Sequence, residues 1–442
     1  MRLAWLRRGL GGLLAATLIA GGGAGAQEAL ISSLSIDRSL APPQNAAVSW
    51  GTNQMFLGPV VGSLGVYVGA QYNDNINSSQ FARESDSILS GGLNLGLTWP
   101  ATDNSVLRVG TGIGWLEYLK HSQYSGLEIS PDSALTWQIG FEDGSLSLYD
   151  QFSYLQQGTQ QPALANLVTL PRLDNDIGAR VSWEPRQWLL QIGYSYDYFI
   201  SPSATYDYLD RDSEYLFTRD AWRFAEHTQA GLEASLSLTH YLKYNQGASQ
   251  SLSVGPYAEW QATRAIMATA RGGEVFSSFD PAAPGQPGSR LSSGYLGLEI
   301  SDKPADFFSH NVSVVRETEL GINQGSAYLE QITATYNLSL TITPRISLDG
   351  SVTWQKGSQP LEAVVAYQSH GLIGSPPPPP ILVPVTFTEH FDFYGGGPTL
   401  TWRLTDKLTS SLNYSRWQRL SNVPGRTFSQ NTISLNLSYN FW

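Results

Sequence analysis

The sequence contains no cysteine, so no disulfide can staple it. A zinc site would have to rest on its six histidines, which stand apart from one another. Charged residues make up only 14% of the chain, well short of the roughly 25% of an average soluble domain. The 41% hydrophobic content excludes disorder. Beyond the N-terminus no apolar run approaches the roughly 20 residues of a spanning helix, which excludes a helical membrane protein. Acidic residues outnumber basic ones, 37 to 26, and nucleic acid needs a basic face, so it is not an expected partner. His121, His227, His240, His310, His370 and His390 form no HExxH pattern, and no Gly-x-Ser-x-Gly occurs. A triad assembled from distant positions leaves no such motif and would show only as a His-centred cluster near a loop. The expectation is a protein that is not an enzyme and carries no cofactor or metal.

What is present is a chain rich in Gly, Ser, Thr, Asn and aromatic residues, 22 of them Tyr and 13 Trp. Residues 1–26 have the form of a signal peptide. Arg2, Arg7 and Arg8 form a basic n-region, Leu10 to Ala20 an apolar stretch, and Ala24-Gly25-Ala26 a small-residue cleavage site. No cysteine follows, which excludes a lipoprotein. Removing this leader leaves 23 basic and 37 acidic residues, a net charge of -14.

From about residue 62 to the end, apolar and polar residues alternate. In 332–343, Ile332, Ala334, Tyr336, Leu338, Leu340 and Ile342 share one face. The other face carries Thr333, Thr335, Asn337, Ser339, Thr341 and Thr343. Successive strand side chains point to opposite faces, so this segment is a strand with one greasy and one hydroxyl-rich surface. The same split marks 89–99, 135–141, 232–238, 346–354 and 433–441.

Many of these runs are 10–14 residues long, against 5–6 for soluble strands, and suit a tilted bilayer crossing. Aromatics gather near their ends, at Trp99, Trp115, Tyr118, Trp183, Trp188, Tyr194, Tyr196, Tyr198, Trp354, Trp402 and Trp442, as interfacial girdles do. Tight turns fall at 102–104, 142–144, 184–186, 343–345 and 405–407. Long connections are expected at 74–86, 156–173, 200–222, 278–289 and 357–387, the last holding the tract Pro376 to Pro380, read as a stiff spacer. Short turns on one side and long loops on the other are the outer-membrane pattern.

The fold expected is therefore all-β: a transmembrane antiparallel β-barrel over 61–442, preceded by a periplasmic or lumenal leader at 27–60. The strand count comes to about seventeen, where barrels of this type have an even number. Three strands are visible between the turns at 184–186 and 261–264, where an even number is required, and the difficulty is placed at 222–262, around His240 to Tyr244. Sixteen strands are favoured, with eighteen as the alternative.

Two features go further. Phe56-Leu57-Gly58-Pro59 followed by residues 65–76, ending Gln71-Tyr72-Asn73-Asp74-Asn75-Ile76, resembles the opening strand of the porin-2 type outer-membrane β-barrel families. Their first hairpin carries a Tyr-Asp-Asp-Asn-Ile-like signature, in which Asn73 here replaces the first Asp. The strand–turn–strand cadence and aromatic C-terminus extend the resemblance over roughly 56–442. The in-phase final aromatic is Phe441, with Trp442 one residue beyond it. The resemblance implies an integral outer-membrane barrel surrounded by lipid and delivered to the barrel-assembly machinery through its last strand. Related barrels are encoded beside exopolysaccharide secretion systems, which implies a polysaccharide partner. The 73–77 segment lacks calcium-loop spacing and reads as a hydrated strand end.

Charges on the polar phase would face the lumen, since an Arg or Lys at mid-bilayer costs about 2–4 kcal/mol. The candidates are Arg108, Arg180, Arg271 and Arg403, with Asp197, Glu233, Glu259, Glu299 and Asp349. Both signs occur, so at most mild ion selectivity is expected. The sequence supports a porin-like channel for passive diffusion of small polar solutes. The alternative is a barrel plugged by 27–60 or by the 357–387 loop, presenting its loops to a polysaccharide or other partner.

Overall fold

The computed structural model describes residues 55–157, 162–243, 248–280, 288–323, 326–367 and 381–441. The first strands are β1 (Met55–Leu57), β2 (Val60–Asn73), β3 (Asp86–Thr102), β4 (Ser105–Tyr118), β5 (Gly126–Ile129), β6 (Ala134–Phe141) and β7 (Gly144–Gln157). They are followed by β8 (Thr169–Trp183), β9 (Trp188–Ile200), β10 (Arg211–Ala225), β11 (Thr228–Tyr241), β12 (Ser249–Gln261) and β13 (Ile266–Phe279). The last are β14 (Ser289–Ala305), β15 (Phe308–Leu320), β16 (Tyr328–Thr343), β17 (Ile346–Tyr367), β18 (Ile381–Arg403), β19 (Leu408–Ser421) and β20 (Phe428–Asn440).

All pair antiparallel in one sheet, in chain order apart from β5 and β6, and β20 returns to pair with β2. β1 folds back on β2 as a short flap. β5 and β6 share one place between β4 and β7. The ring therefore has eighteen strand positions. Closure gives every backbone N–H and C=O of the ladder a partner without an edge, as a hydrocarbon environment requires.

Eighteen replaces the favoured sixteen. The strand that the sequence conceals is β10, which lies largely inside the presumed 200–222 loop rather than at 222–262. It carries Arg211, Asp212, Glu214, Arg219, Asp220 and Arg223, and its apolar residues fall on both phases, so alternation does not reveal it. With β10 in place, four strands, β9 to β12, run between the turns at 184–186 and 261–264. The 357–387 segment is also mostly strand, because β17 and β18 pair as far as Tyr367 and Ile381. The Pro376–Pro380 tract lies outside the described residues, as do 1–54 and Trp442.

The outward phase is apolar, with Leu93, Ile113, Leu232, Ile300, Val352 and Leu435 all well exposed. Tight turns gather at one end of the barrel, where Trp99, Trp183, Trp188, Trp222, Trp260 and Trp402 form an exposed belt. Trp188 and Trp222 meet edge to face at 4.9 Å. Tyr118, expected in a girdle, instead points inward and is 4% exposed, because it lies one residue off the phase of Trp115.

The 73–77 segment is not a hydrated strand end. Asn75 is fully buried; its side-chain amide donates to the Ser79 and Ser429 carbonyls at 3.0 and 2.9 Å and accepts from the Ser79 N–H. Gln430 donates to the Asn75 carbonyl at 2.8 Å. The Asp74 carboxylate accepts from the Asn431 backbone and side chain at 2.7 and 2.6 Å. The motif thus clasps the first long loop to β20 across the closing seam.

Inside, large rings fit over glycines on neighbouring strands. Phe217 on β10 lies against Gly193 on β9, where a Cβ would overlap the ring. Tyr295 on β14 lies over Gly273 and Gly255, and its hydroxyl reaches toward Glu233 at 3.5 Å.

Candidate functional site

Alternation fixes which side chains face the lumen, and pairing assembles them into a wall. Every charge expected there lies on the inward phase. Arg180, Glu233, Glu259 and Arg271 come together on β8 to β13. Arg219, on the concealed β10, is the hub of this group. It donates to Glu233 at 2.8 Å and stacks 3.8 Å from the Tyr257 ring. The Tyr257 hydroxyl donates to Glu259 at 2.6 Å, and Gln229 donates to the same carboxylate oxygen at 3.0 Å. Arg180 stands 5.2 Å over Phe217, and Arg271 is opposite Tyr257 in register.

The other candidates stand apart. Asp197 is buried on β9. Arg108 donates to Gln138 at 3.2 Å, Glu299 accepts from Asn311 at 2.6 Å, and Asp349 accepts from Ser339 at 2.6 Å. Arg403 is exposed at the turn end of β18.

Between β5 and β6, residues 130–133 bulge from the ladder. Ser130 lies against the inward face of Gly112, and Gln151, an inward side chain, donates to the Pro131 carbonyl at 2.6 Å. The bulge therefore projects into the lumen and carries Asp132. A bulge in a strand re-aims a side chain, and nothing in the local alternation announces it.

A more consequential feature is a strap. Residues 162–168, between β7 and β8, leave the wall and cross the lumen at the long-loop end. Arg419 on β19 donates through Nε to the Pro162 carbonyl at 2.6 Å. The Ala163 carbonyl accepts from Arg426 at 2.7 Å, Asn323 at 3.0 Å and Gln359 at 3.3 Å. Gln359 is on β17, diametrically across the ring from β8. Asn166, at positive φ, donates from its backbone to Ser78 at 3.2 Å and from its side chain to Gly425 at 3.1 Å.

Glu389 on β18 organises the anchorage. Its carboxylate, fully buried, accepts from Arg419 at 2.7 Å, Arg426 at 2.9 Å, Ser421 at 2.6 Å and Gln359 at 2.8 Å. Arg419 also stands 4.6 Å over Phe391. Around the strap, Ala163 packs with Leu170, Phe199, Leu209, Ile322, Leu329, Phe391, Phe393 and Phe428. The outward residues of β18 above Tyr394 are Asp392, His390 and Thr388, so this strand has left the apolar band before Glu389. Burial raises the Glu389 pKa, but Arg419, Arg426 and the Ser421 hydroxyl outweigh it and hold the carboxyl below its ordinary range.

The plug expected from sequence was 27–60 or the 357–387 loop. Residues 27–54 and 368–380 lie outside the described residues, and the crossing segment is 162–168. At the long-loop rim, His121 bonds through Nδ1 to Asp86 at 2.8 Å, with Nε2 at 3.5 Å from Glu84. Both ring nitrogens thus face carboxylates rather than a hydroxyl.

A closed ring with an apolar exterior, an aromatic belt and a polar interior defines an integral outer-membrane β-barrel. No protein-family model matches the chain, the porin-2 type included, and no curated protein matches it. Among solved structures it is similar to Pseudomonas aeruginosa OpdQ, at 9% identity and a TM-score of 0.45 over 87% of this chain and 98% of that one. It is similar at 10% identity and a TM-score of 0.47 to Pseudomonas aeruginosa OccK2 (OpdF) in complex with glucuronate, over 88% of this chain and 100% of that one. Likeness of this extent does not carry those proteins' ligands over to this chain.

Proposed function

We propose that the chain is a porin-like channel through which small polar solutes cross the outer membrane by passive diffusion. The observation that carries this reading is the closed eighteen-position ring with a polar inward phase, a size that encloses an aqueous lumen. Arg108, Arg180, Glu259, Arg271, Glu299, Asp349 and Arg403 line the path, with Asp197 and Glu233 buried in the wall beside them, and the mixed signs give weak ion selectivity. The strap at 162–168 sets the cross-section at the outer mouth. Export by the 1–26 leader and assembly through the strand ending at Phe441-Trp442 belong to the same reading, as does membership of a porin-2 type family.

A second reading, an occluded barrel that presents its loops to a polysaccharide, is favoured by the strap itself. Planar-bilayer recordings of the purified full chain separate the two. The channel reading expects stable open steps from the wild type, and larger steps when 162–168 is replaced by a short Gly-Ser linker. A silent wild type with a conducting variant would establish the occluded barrel. Silence from both, with the barrel folded, rejects the channel.

A further inference from the structure

Three cations face away from the lumen at the long-loop side of the barrel. Arg316 on β15 and Lys356 on β17 both stand opposite Ile332 of β16 in register, and Arg416 on β19 stands opposite Asn431 of β20. Ile332 is exposed on the outward phase, and all three cations are exposed with it. None of the three forms an ion pair among the described residues, unlike Arg219, Arg223, Arg419 and Arg426. Asp392 is opposite Lys356 in register, yet the two do not pair.

Their height follows from the strands. Arg316 and Arg416 are eight residues from the turn-end starts of their strands, Phe308 and Leu408, and Lys356 is ten from Ile346. At about 3.3 Å per residue and a tilt near 40°, this is roughly 20–25 Å, the height of the lipid-facing band. Aromatics mark the same level independently. Trp354 lies two residues below Lys356, Tyr414 two below Arg416, and Tyr394 is opposite Trp354, all exposed outward. Such rings sit at the membrane–water interface, which places the cations one step above it, among the headgroups. The outward residues near this level on β10 and β13 are instead acidic, Glu214 and Glu274, and within the arc the one acid opposite a cation in register is Asp392.

We propose that Arg316, Lys356 and Arg416 form a docking arc for the phosphate groups of an anionic lipid in the outer leaflet. Three unpaired cations on alternate strands span a broad arc of wall. That suits a headgroup carrying more than one phosphate, or neighbouring headgroups, better than a single small anion. Arginine takes phosphate through its planar fork and lysine as a point charge. Cations that merely reached for water would not discriminate a phosphorylated headgroup from an uncharged one.

The test uses the full barrel in nanodiscs of phosphatidylcholine, titrated with a bisphosphorylated glucosamine-based lipid or its dephosphorylated form. The expected result is saturable binding of the first only, with affinity falling as salt rises. Each base at an anionic membrane surface contributes about fivefold, so R316Q/K356Q/R416Q is expected to bind on the order of a hundredfold more weakly. R316K/R416K, which keeps every charge, is expected to retain most of the affinity and guards against loss through misfolding. Equal binding of both lipids, or wild-type affinity in a folded triple glutamine variant, overturns the proposal.

Discussion

At the residue scale, Glu389 concentrates the chemistry that fixes the strap. A buried carboxylate that satisfies two guanidinium groups is costly to disturb, because removing it strands the buried Arg419 charge without its partner. The pH dependence follows from its lowered pKa. A carboxylate with a depressed folded pKa adds stability that is fully present above the unfolded value, near 4. That stability is lost as pH falls through the lower folded value. Strap-dependent conductance is therefore expected to hold constant from pH 7 to about 5 and to change only below about 4. E389Q is expected to show the acid behaviour already at neutral pH. Recordings of single channels against pH for both proteins check this, and a wild-type transition near pH 6 would assign the response to another group.

At the element scale, the inward bulge at 130–133 adds a carboxylate to a wall that regular pairing would leave to Gly110 and Gly112. D132N is expected to move the zero-current potential in a salt gradient toward anion preference while leaving the fold intact. No movement would place Asp132 outside the ion path. Elements also show where the sequence was readable. The hairpin of β16 and β17 could be drawn from 332–354, since apolar residues keep one phase and Thr343-Pro344-Arg345 marks the turn. β10 could not, because Tyr215 and Phe217 face inward while Glu214 and Asp220 face outward, reversing the pattern that reveals β16 and β17. The strap was hidden for a different reason. Its anchors are main-chain carbonyls of Pro162 and Ala163, which carry no side-chain signature, and their partners Arg419 and Arg426 lie more than 250 residues away. The phase of Arg180 or Glu233, by contrast, follows from local alternation alone.

At the scale of the whole molecule, the ring depends on one seam between β2 and β20, and the Asn73–Ile76 motif is built into it. N75A removes an amide whose donors and acceptor are all engaged, leaving buried backbone carbonyls without their partner. A loss of about 1–3 kcal/mol is expected, seen as a lower midpoint in urea unfolding of the detergent-solubilised barrel. An unchanged midpoint would mean that the ladder alone holds the seam.

The seam also dictates order in time. Every other pairing joins strands that are neighbours or next neighbours in the chain, so each closes over a far shorter stretch. β2 must meet a strand more than 350 residues away, which is entropically the most demanding contact in the ring. Until it forms, the growing sheet has two open edges, the feature most prone to pairing with a stranger. The Asn75 clasp is thus placed where recognition matters most: at the junction that turns a vulnerable ribbon into a finished object.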